Sequence, residues 1–324
     1  MLMEAQVEGV SDCFRASSDG SERTNLPAYD SWMKATIRRV EDTLHAQLPS
    51  ANCVPERLHS AMRYAVLNGG KRVRALLCHA AGFLVDANLD VLAAAAAAIE
   101  MVHAYSLVHD DLPAMDNDVM RRGQATVHVK YDEATAILVG DALQSQAFLV
   151  LSGMALPERQ RTAIFSELAV AIGSMGMAGG QVLDLTSAGF HLDQKSLEQM
   201  HRMKTGALIR AAVRIGALCG DNGTHPGQRE SLSSALDRYA NAIGLAFQVV
   251  DDILDVTSNS VTLGKTAGKD AKADKATYIS HLGVDGAQTV ARQLHQDACM
   301  ALGSMGERAT YLKYIADSVI ARVH

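Results

Sequence analysis

Six consecutive alanines, at positions 93–98, stand inside a run of helix formers that extends from 92 to 107. Alanine loses least on entering a helix, and no glycine or proline interrupts the run. Aromatic residues, which favour strands, are only 5% of the chain, and strand-like alternation is scarce. From Trp32 onward apolar residues recur at helical spacing, as at Leu58, Met62, Ala65 and Val66. The expected fold class is therefore all-α, a single large bundle of ten or more helices.

With 324 residues, 48% of them hydrophobic, the chain can bury a substantial core. Thirty basic side chains against 36 acidic ones give a formal charge of −6, which offers no global positive field to attract nucleic acid. The longest alanine-rich apolar stretch, 91–99, ends at Asp90 and Glu100 and falls short of the roughly 20 residues that cross a bilayer, so no membrane span is expected. Cys13, Cys53, Cys78, Cys219 and Cys299 are scattered without a CxxC pair, which suits reduced thiols and a cytoplasmic location. Residues 1–27 are rich in serine, aspartate and glutamate and read as a disordered extension, leaving 28–324 as one domain. Breaks are expected at Asn68-Gly69-Gly70, Pro113, 153–157, Gly179-Gly180, 220–227 and 264–268. None has the composition of an interdomain linker.

Two aspartate clusters lie within otherwise apolar sequence. The first is Asp110-Asp111-Leu112-Pro113-Ala114-Met115-Asp116, and the second is Asp251-Asp252-Ile253-Leu254-Asp255. Asp251 and Asp255 are four apart, so on a helix they point in nearly one direction. Partly buried like charges in that arrangement are costly unless a cation compensates them. Oxygen-only ligands favour Mg²⁺ or Ca²⁺, and a Mg²⁺ site with open positions is suited to holding phosphates. Asp110 and Asp116 are about 120° apart on a straight helix and could not share a metal, but Pro113 predicts a break that removes the difficulty. A single such string reads equally well as a solvated helix end; two of them favour a metal–diphosphate site.

Cationic segments accompany the acids. Gly69-Gly70-Lys71-Arg72-Val73-Arg74 puts two glycines at a helix start beside Lys71 and Arg74, an anion cradle. Arg121-Arg122-Gly123 follows the first cluster; Gly264-Lys265-Thr266 and Lys275 follow the second. Gly264-Lys265-Thr266 is not a nucleotide-binding P-loop, because Asn259 stands where the first glycine is required. Lys204 lies in a helical stretch among apolar neighbours, where a lysine needs a partner unless it reaches out to solvent. His103, seven residues before Asp110, falls within about 20° of it around a helix and faces the same side.

Taken together, Gly69-Gly70-Lys71-Arg72-Val73-Arg74, Asp110-Asp111-Leu112-Pro113-Ala114-Met115-Asp116, Arg121-Arg122-Gly123, Gly179-Gly180-Gln181, Lys204-Thr205, Phe247-Gln248-Val249-Val250-Asp251-Asp252-Ile253-Leu254-Asp255 and Gly264-Lys265-Thr266 closely resemble the trans-isoprenyl diphosphate synthases, with the bacterial farnesyl diphosphate synthase branch as the best match. The resemblance covers residues 32–322 and implies an all-α homodimer in which a central cavity holds an allylic diphosphate and isopentenyl diphosphate. It implies three Mg²⁺ ions on Asp110, Asp116 and Asp251, supported by Asp111, Asp252 and Asp255, with Gln181 and Asp184 steadying the metal shell. Arg121, Lys204, Gln248, Lys265 and Lys275 would serve the allylic diphosphate. Gly70, Lys71, Arg74, His103, Arg122 and Phe247 would serve isopentenyl diphosphate. The carbonyl of Lys204 and the hydroxyl of Thr205 would flank an allylic cation.

Tyr105 lies roughly 7.5 Å upstream of Asp110 along a helix and can floor a product tunnel. With Ser106 and the Leu-Pro insertion it resembles the farnesyl-producing pattern. The alternatives are a geranylgeranyl diphosphate synthase and, in another class, a noncatalytic partner subunit. A terpene cyclase fits less well, because the Lys71–Arg74 cradle serves condensation. Ala75 stands where the family usually has proline, and Arg322-Val323-His324 is only weakly like its basic tail.

Overall fold

The structure, a computed structural model, describes residues 26–187, 192–220, 226–257 and 276–323. It is all-α, as expected. The helices are α1 (Leu26–Gln47), α2 (Glu56–Leu67), α3 (Val73–Phe83), α4 (Leu89–Asp110), α5 (Val127–Lys130), α6 (Glu133–Ser152), α7 (Glu158–Ile172), α8 (Met177–Thr186), α9 (Gln194–His201), α10 (Ala207–Leu218), α11 (Pro226–Thr257), α12 (Tyr278–Ala301) and α13 (Thr310–Ile320). A π-helical turn, Arg202–Gly206, joins α9 to α10, and 3-10 turns at Gly303–Ala309 and Ala321–Val323 flank α13. Leu26 and Pro27, assigned to the extension by sequence, already belong to α1; residues 1–25 lie outside the described set.

α4 is the centre of the bundle and packs against α1, α3, α6 and α10. Asn88 starts it by accepting hydrogen bonds from the Asp90 and Val91 amides. Its alanines are buried on nearly every side, so neighbouring helices approach its backbone closely. Glu100 did not end the apolar stretch as the sequence suggested: it is 3% exposed and paired at 3.3 Å with the equally buried Arg72. The resulting 22-residue helix is long and apolar enough to cross a membrane by length and composition, as are α6 and the α7–α8 stretch Glu158–Thr186, which is broken at 173–176. In α4 that apolar surface faces protein.

α11 packs against α10 and α12 and carries a buried stripe of Ala240, Ile243, Ala246, Val249, Val250 and Ile253. That helical periodicity fixes which way the second acid cluster points. A short hairpin, β1 (Met120–Arg121) and β2 (Gln124–Ala125), was not foreseen. Arg122 and Gly123 form its turn, both at positive φ, 52° and 74°. That is the type I′ geometry matching strand twist, in which glycine relieves the second position.

The expected break at Gly179-Gly180 is absent; both residues lie inside α8. Gly180 is required by close approach instead, since a Cβ there would run into the backbone nitrogen of Lys204.

Candidate active site

Pro113 acts as the sequence implied. α4 stops at Asp110, Asp111 caps it, and the chain turns back so that the Asp116 amide donates to the Asp110 carbonyl at 2.8 Å. The turn therefore gathers Asp110 and Asp116, which a straight helix would separate. Burial pushes the Asp110 carboxyl up to about 6; the neighbouring Asp116 and Asp111 charges add to the rise, and Lys204 and Arg121 oppose it. Asp111 is buried and held by Arg121 through contacts of 2.6, 2.8 and 3.0 Å. Two residues predicted for metal and diphosphate thus occupy each other here. Burial raises the Asp111 carboxyl and the Arg121 guanidinium pulls it back.

The second acid cluster divides between site and scaffold. Asp251 is partly exposed and bonds Arg322 at 3.0 Å. Asp255, on the same face of α11, is buried. Asp252 is turned into the protein, where its carboxylate accepts the Tyr278 amide at 2.8 Å and ties α11 to the start of α12. Arg322 also lies over the Phe247 ring, 5.1 Å from its centroid. The C-terminal turn thus covers both Phe247 and Asp251.

Lys204 lies on the π-helical turn and reaches Asp184 at 2.5 Å. Such turns widen a helix locally and are frequent at functional sites. On the next residue, the Thr205 hydroxyl donates to Gln248 Oε1 at 2.7 Å. Lys204 lies within electrostatic reach of Asp110, and Arg74 within reach of Asp251; with Thr205 bonded to Gln248, the π-helical turn links the end of α4 to α11.

The cationic side is built on the Gly69-Gly70 corner. Gly69, Gly70 and Arg72 have φ of 71°, 128° and 48°, and α3 starts at Val73. The Arg122 guanidinium, delivered by the hairpin tip, donates to the Gly69 carbonyl and lies flat on Gly70, where a Cβ would be 2.8 Å from it. Exposed Lys71 follows the corner. His103 is held well below its ordinary pKa, first by burial and then by Arg74, Arg122, Arg121 and Arg72, so it is neutral amid four cations. Arg74 Nε and the Gln181 side-chain nitrogen are buried donors without a partner, the polar atoms an oxyanion would satisfy.

The support for this corner comes from residues far apart in the sequence. Arg72 donates to the Val66 carbonyl and pairs with Glu100, while the Ala75 amide donates to the other Glu100 oxygen at 3.1 Å. A proline at 75 would lack that amide, which gives the departure from the family pattern a structural role. At 5% exposed and paired with Glu100, Arg72 is scaffold, whereas Lys71 beside it is exposed.

Tyr105 is buried on α4, its ring edge-on to His109 at 5.9 Å. Burial, with Asp110 nearby, pushes its phenol up to about 12. The Ser106 hydroxyl donates to the His103 carbonyl at 3.0 Å. Lys265 and Lys275 lie outside the described residues.

Residues 55–306 match the family model described as polyprenyl synthetase. A probable farnesyl diphosphate synthase of Bradyrhizobium diazoefficiens is 50% identical over 92% of this chain and 88% of its own length. The farnesyl diphosphate synthase of Escherichia coli is 51% identical over 81% of this chain and 88% of its own. Among solved structures, a Helicobacter pylori geranyltransferase complexed with magnesium and isoprenyl diphosphate superposes with a TM-score of 0.78 at 32% identity, covering 94% of this chain and 98% of that one.

Proposed function

The chain belongs to the polyprenyl synthetase family, and from that premise we propose that it condenses isopentenyl diphosphate with dimethylallyl and then geranyl diphosphate, yielding fifteen-carbon farnesyl diphosphate. The observation that carries this reading is the π-helical turn, whose Lys204 stands within reach of Asp110 at the end of α4 while its Thr205 bonds Gln248 on α11, one turn before Asp251, beside an arginine cluster.

The donor set fits Mg²⁺. Asp110, Asp116 and Asp251 offer hard oxygen ligands, and the partnerless donors of Arg74 and Gln181 fit a polyanion beside them. We assign those three aspartates to the metal, three ions being expected, with Asp111 and Asp255 steadying the shell and Asp252 fixing α11 from behind through the Tyr278 amide. When bound, Mg²⁺ neutralises the diphosphate that leaves the allylic substrate.

Lys204, Arg121 and Gln248 hold that diphosphate, together with Lys265 and Lys275. Arg74, Arg122, Lys71 and neutral His103 hold isopentenyl diphosphate against the Gly70 corner, and Phe247 packs on its carbon chain. The C–O bond breaks without a protein nucleophile, because fixed positive charge stabilises the leaving group as it develops. The Thr205 hydroxyl donates a hydrogen bond to Gln248 Oε1, which leaves its lone pairs, with the Lys204 carbonyl, to flank the allylic cation. The isopentenyl double bond attacks that cation, and the proton lost afterwards passes to the retained diphosphate. Tyr105 ends the tunnel and so limits chain length.

A homodimer is our further reading, supported by the apolar outer faces of α6 to α8, where Ile137, Leu138, Leu149, Val170 and Val182 are exposed. The scattered thiols support a cytoplasmic location. Incubation with dimethylallyl and isopentenyl diphosphates and Mg²⁺, with the product sized by mass, tests the activity. A dominant fifteen-carbon product is expected; a twenty-carbon one would overturn the Tyr105 floor, and no condensation would overturn the function.

A further inference from the structure

We propose that His295, Cys299 and Asp317 form a binding site for a thiophilic divalent cation of the Zn²⁺ class, where α12 packs against α13. His295 and Cys299 are four apart on α12 and project from one face. Asp317 enters from α13. His295 Nε2 lies 2.6 Å from an Asp317 oxygen and 3.7 Å from Cys299 Sγ. All three ligand atoms fall within 4.8 Å of one another, the only such group of His, Cys, Asp or Glu among the described residues.

The way these atoms converge decides what the cluster can do. Sulfur and carboxylate both approach the same ring nitrogen. A nucleophilic Cys–His–Asp relay needs one partner on each nitrogen of the ring, so a thiol nucleophile is disfavoured. Three donors aimed at a common point are instead the arrangement of metal ligands. Tetrahedral Zn²⁺, with bonds of about 2.3 Å to sulfur and about 2.0–2.2 Å to nitrogen and oxygen, separates neighbouring ligand atoms by roughly 3.3–3.6 Å. The sulfur–nitrogen distance already matches, and the Asp317 carboxylate needs to swing out by less than about 1 Å. His295 and Asp317 are 26% and 42% exposed, which leaves the fourth position to water. Mixed nitrogen, sulfur and oxygen donors select Zn²⁺ over the Mg²⁺ assigned to the aspartate banks, because Mg²⁺ avoids thiolate. On binding, the Cys299 thiol proton and the His295 Nε2 proton now held against Asp317 both pass to solvent, and the metal clips α12 to α13.

Co²⁺ is the probe, added to the full chain with excess Mg²⁺ present. A thiolate-to-cobalt charge-transfer band is expected, bleached by Zn²⁺, kept in Cys53→Ser and lost in Cys299→Ser. Zn²⁺ should raise the Tm of the wild type and of Cys53→Ser but not of Cys299→Ser. No band in the wild type, or a band that survives Cys299→Ser, overturns the site. Should Cys299→Ser fail to fold, Asp317→Asn serves: the band must weaken or shift, and an unchanged band means that His295 and Asp317 form an ion pair only.

Discussion

Replacing Asp110 by asparagine should stabilise the metal-free protein while abolishing turnover. Burial lifts this carboxyl from 3.8 to about 6, so holding it ionised in the folded state opposes folding. The displacement corresponds to roughly 3 kcal/mol at 1.36 kcal/mol per pKa unit. Because the folded pKa lies above the unfolded one, the native state binds more protons between pH 4 and 6, and stability falls as pH rises through that window. Asparagine carries no charge and escapes the penalty. In urea denaturation at fixed protein concentration with chelator, Asp110→Asn should exceed the wild type by about 1–3 kcal/mol at pH 8, with the gap closing towards pH 4. Saturating Mg²⁺ should narrow the gap at pH 8, because only the wild type keeps this ligand. An asparagine variant no more stable at pH 8, or a gap that ignores pH, would refute the reasoning.

Tyr105→Ala should lengthen the product past fifteen carbons and cost roughly 2–4 kcal/mol in stability, read by product mass and denaturation; unchanged product length would remove the floor role. Gly70→Ala, at a φ of 128° and against Arg122, should raise the KM for isopentenyl diphosphate more than that for the allylic substrate in steady-state kinetics. Arg322→Ala frees Asp251 from a partly exposed pair, which predicts apparent Mg²⁺ affinity tighter by up to about 5-fold in a Mg²⁺ titration of the rate.

The parts visible in sequence were those set by local rules. Alanine-rich 93–98 announced the central helix, Pro113 announced the turn that reunites Asp110 and Asp116, and four-residue spacing placed Asp251 and Asp255 on one face of α11. What stayed hidden depended on contacts between distant segments. Gly180 looks like a helix breaker until Lys204 is seen pressed against it. Glu100 looks like the end of an apolar run until Arg72 and the Ala75 amide pair with it. The type I′ turn at Arg122-Gly123 lacks the asparagine or aspartate that would have signalled it. Asp252 and Asp255 belong to the same motif as Asp251, yet Asp252 serves the start of α12, a division that spacing alone does not reveal.

The central claim is that the carboxylates of α4 and α11 act together through Mg²⁺ on one diphosphate. Crystals soaked with Mn²⁺ in place of Mg²⁺ and a non-hydrolysable thio analogue of dimethylallyl diphosphate would locate the ions by anomalous scattering. The account predicts ions on Asp110, on Asp116 and on Asp251, all bridged to that one diphosphate beside Lys204. A diphosphate bound without ions, or ions confined to one of the two helices, would contradict it.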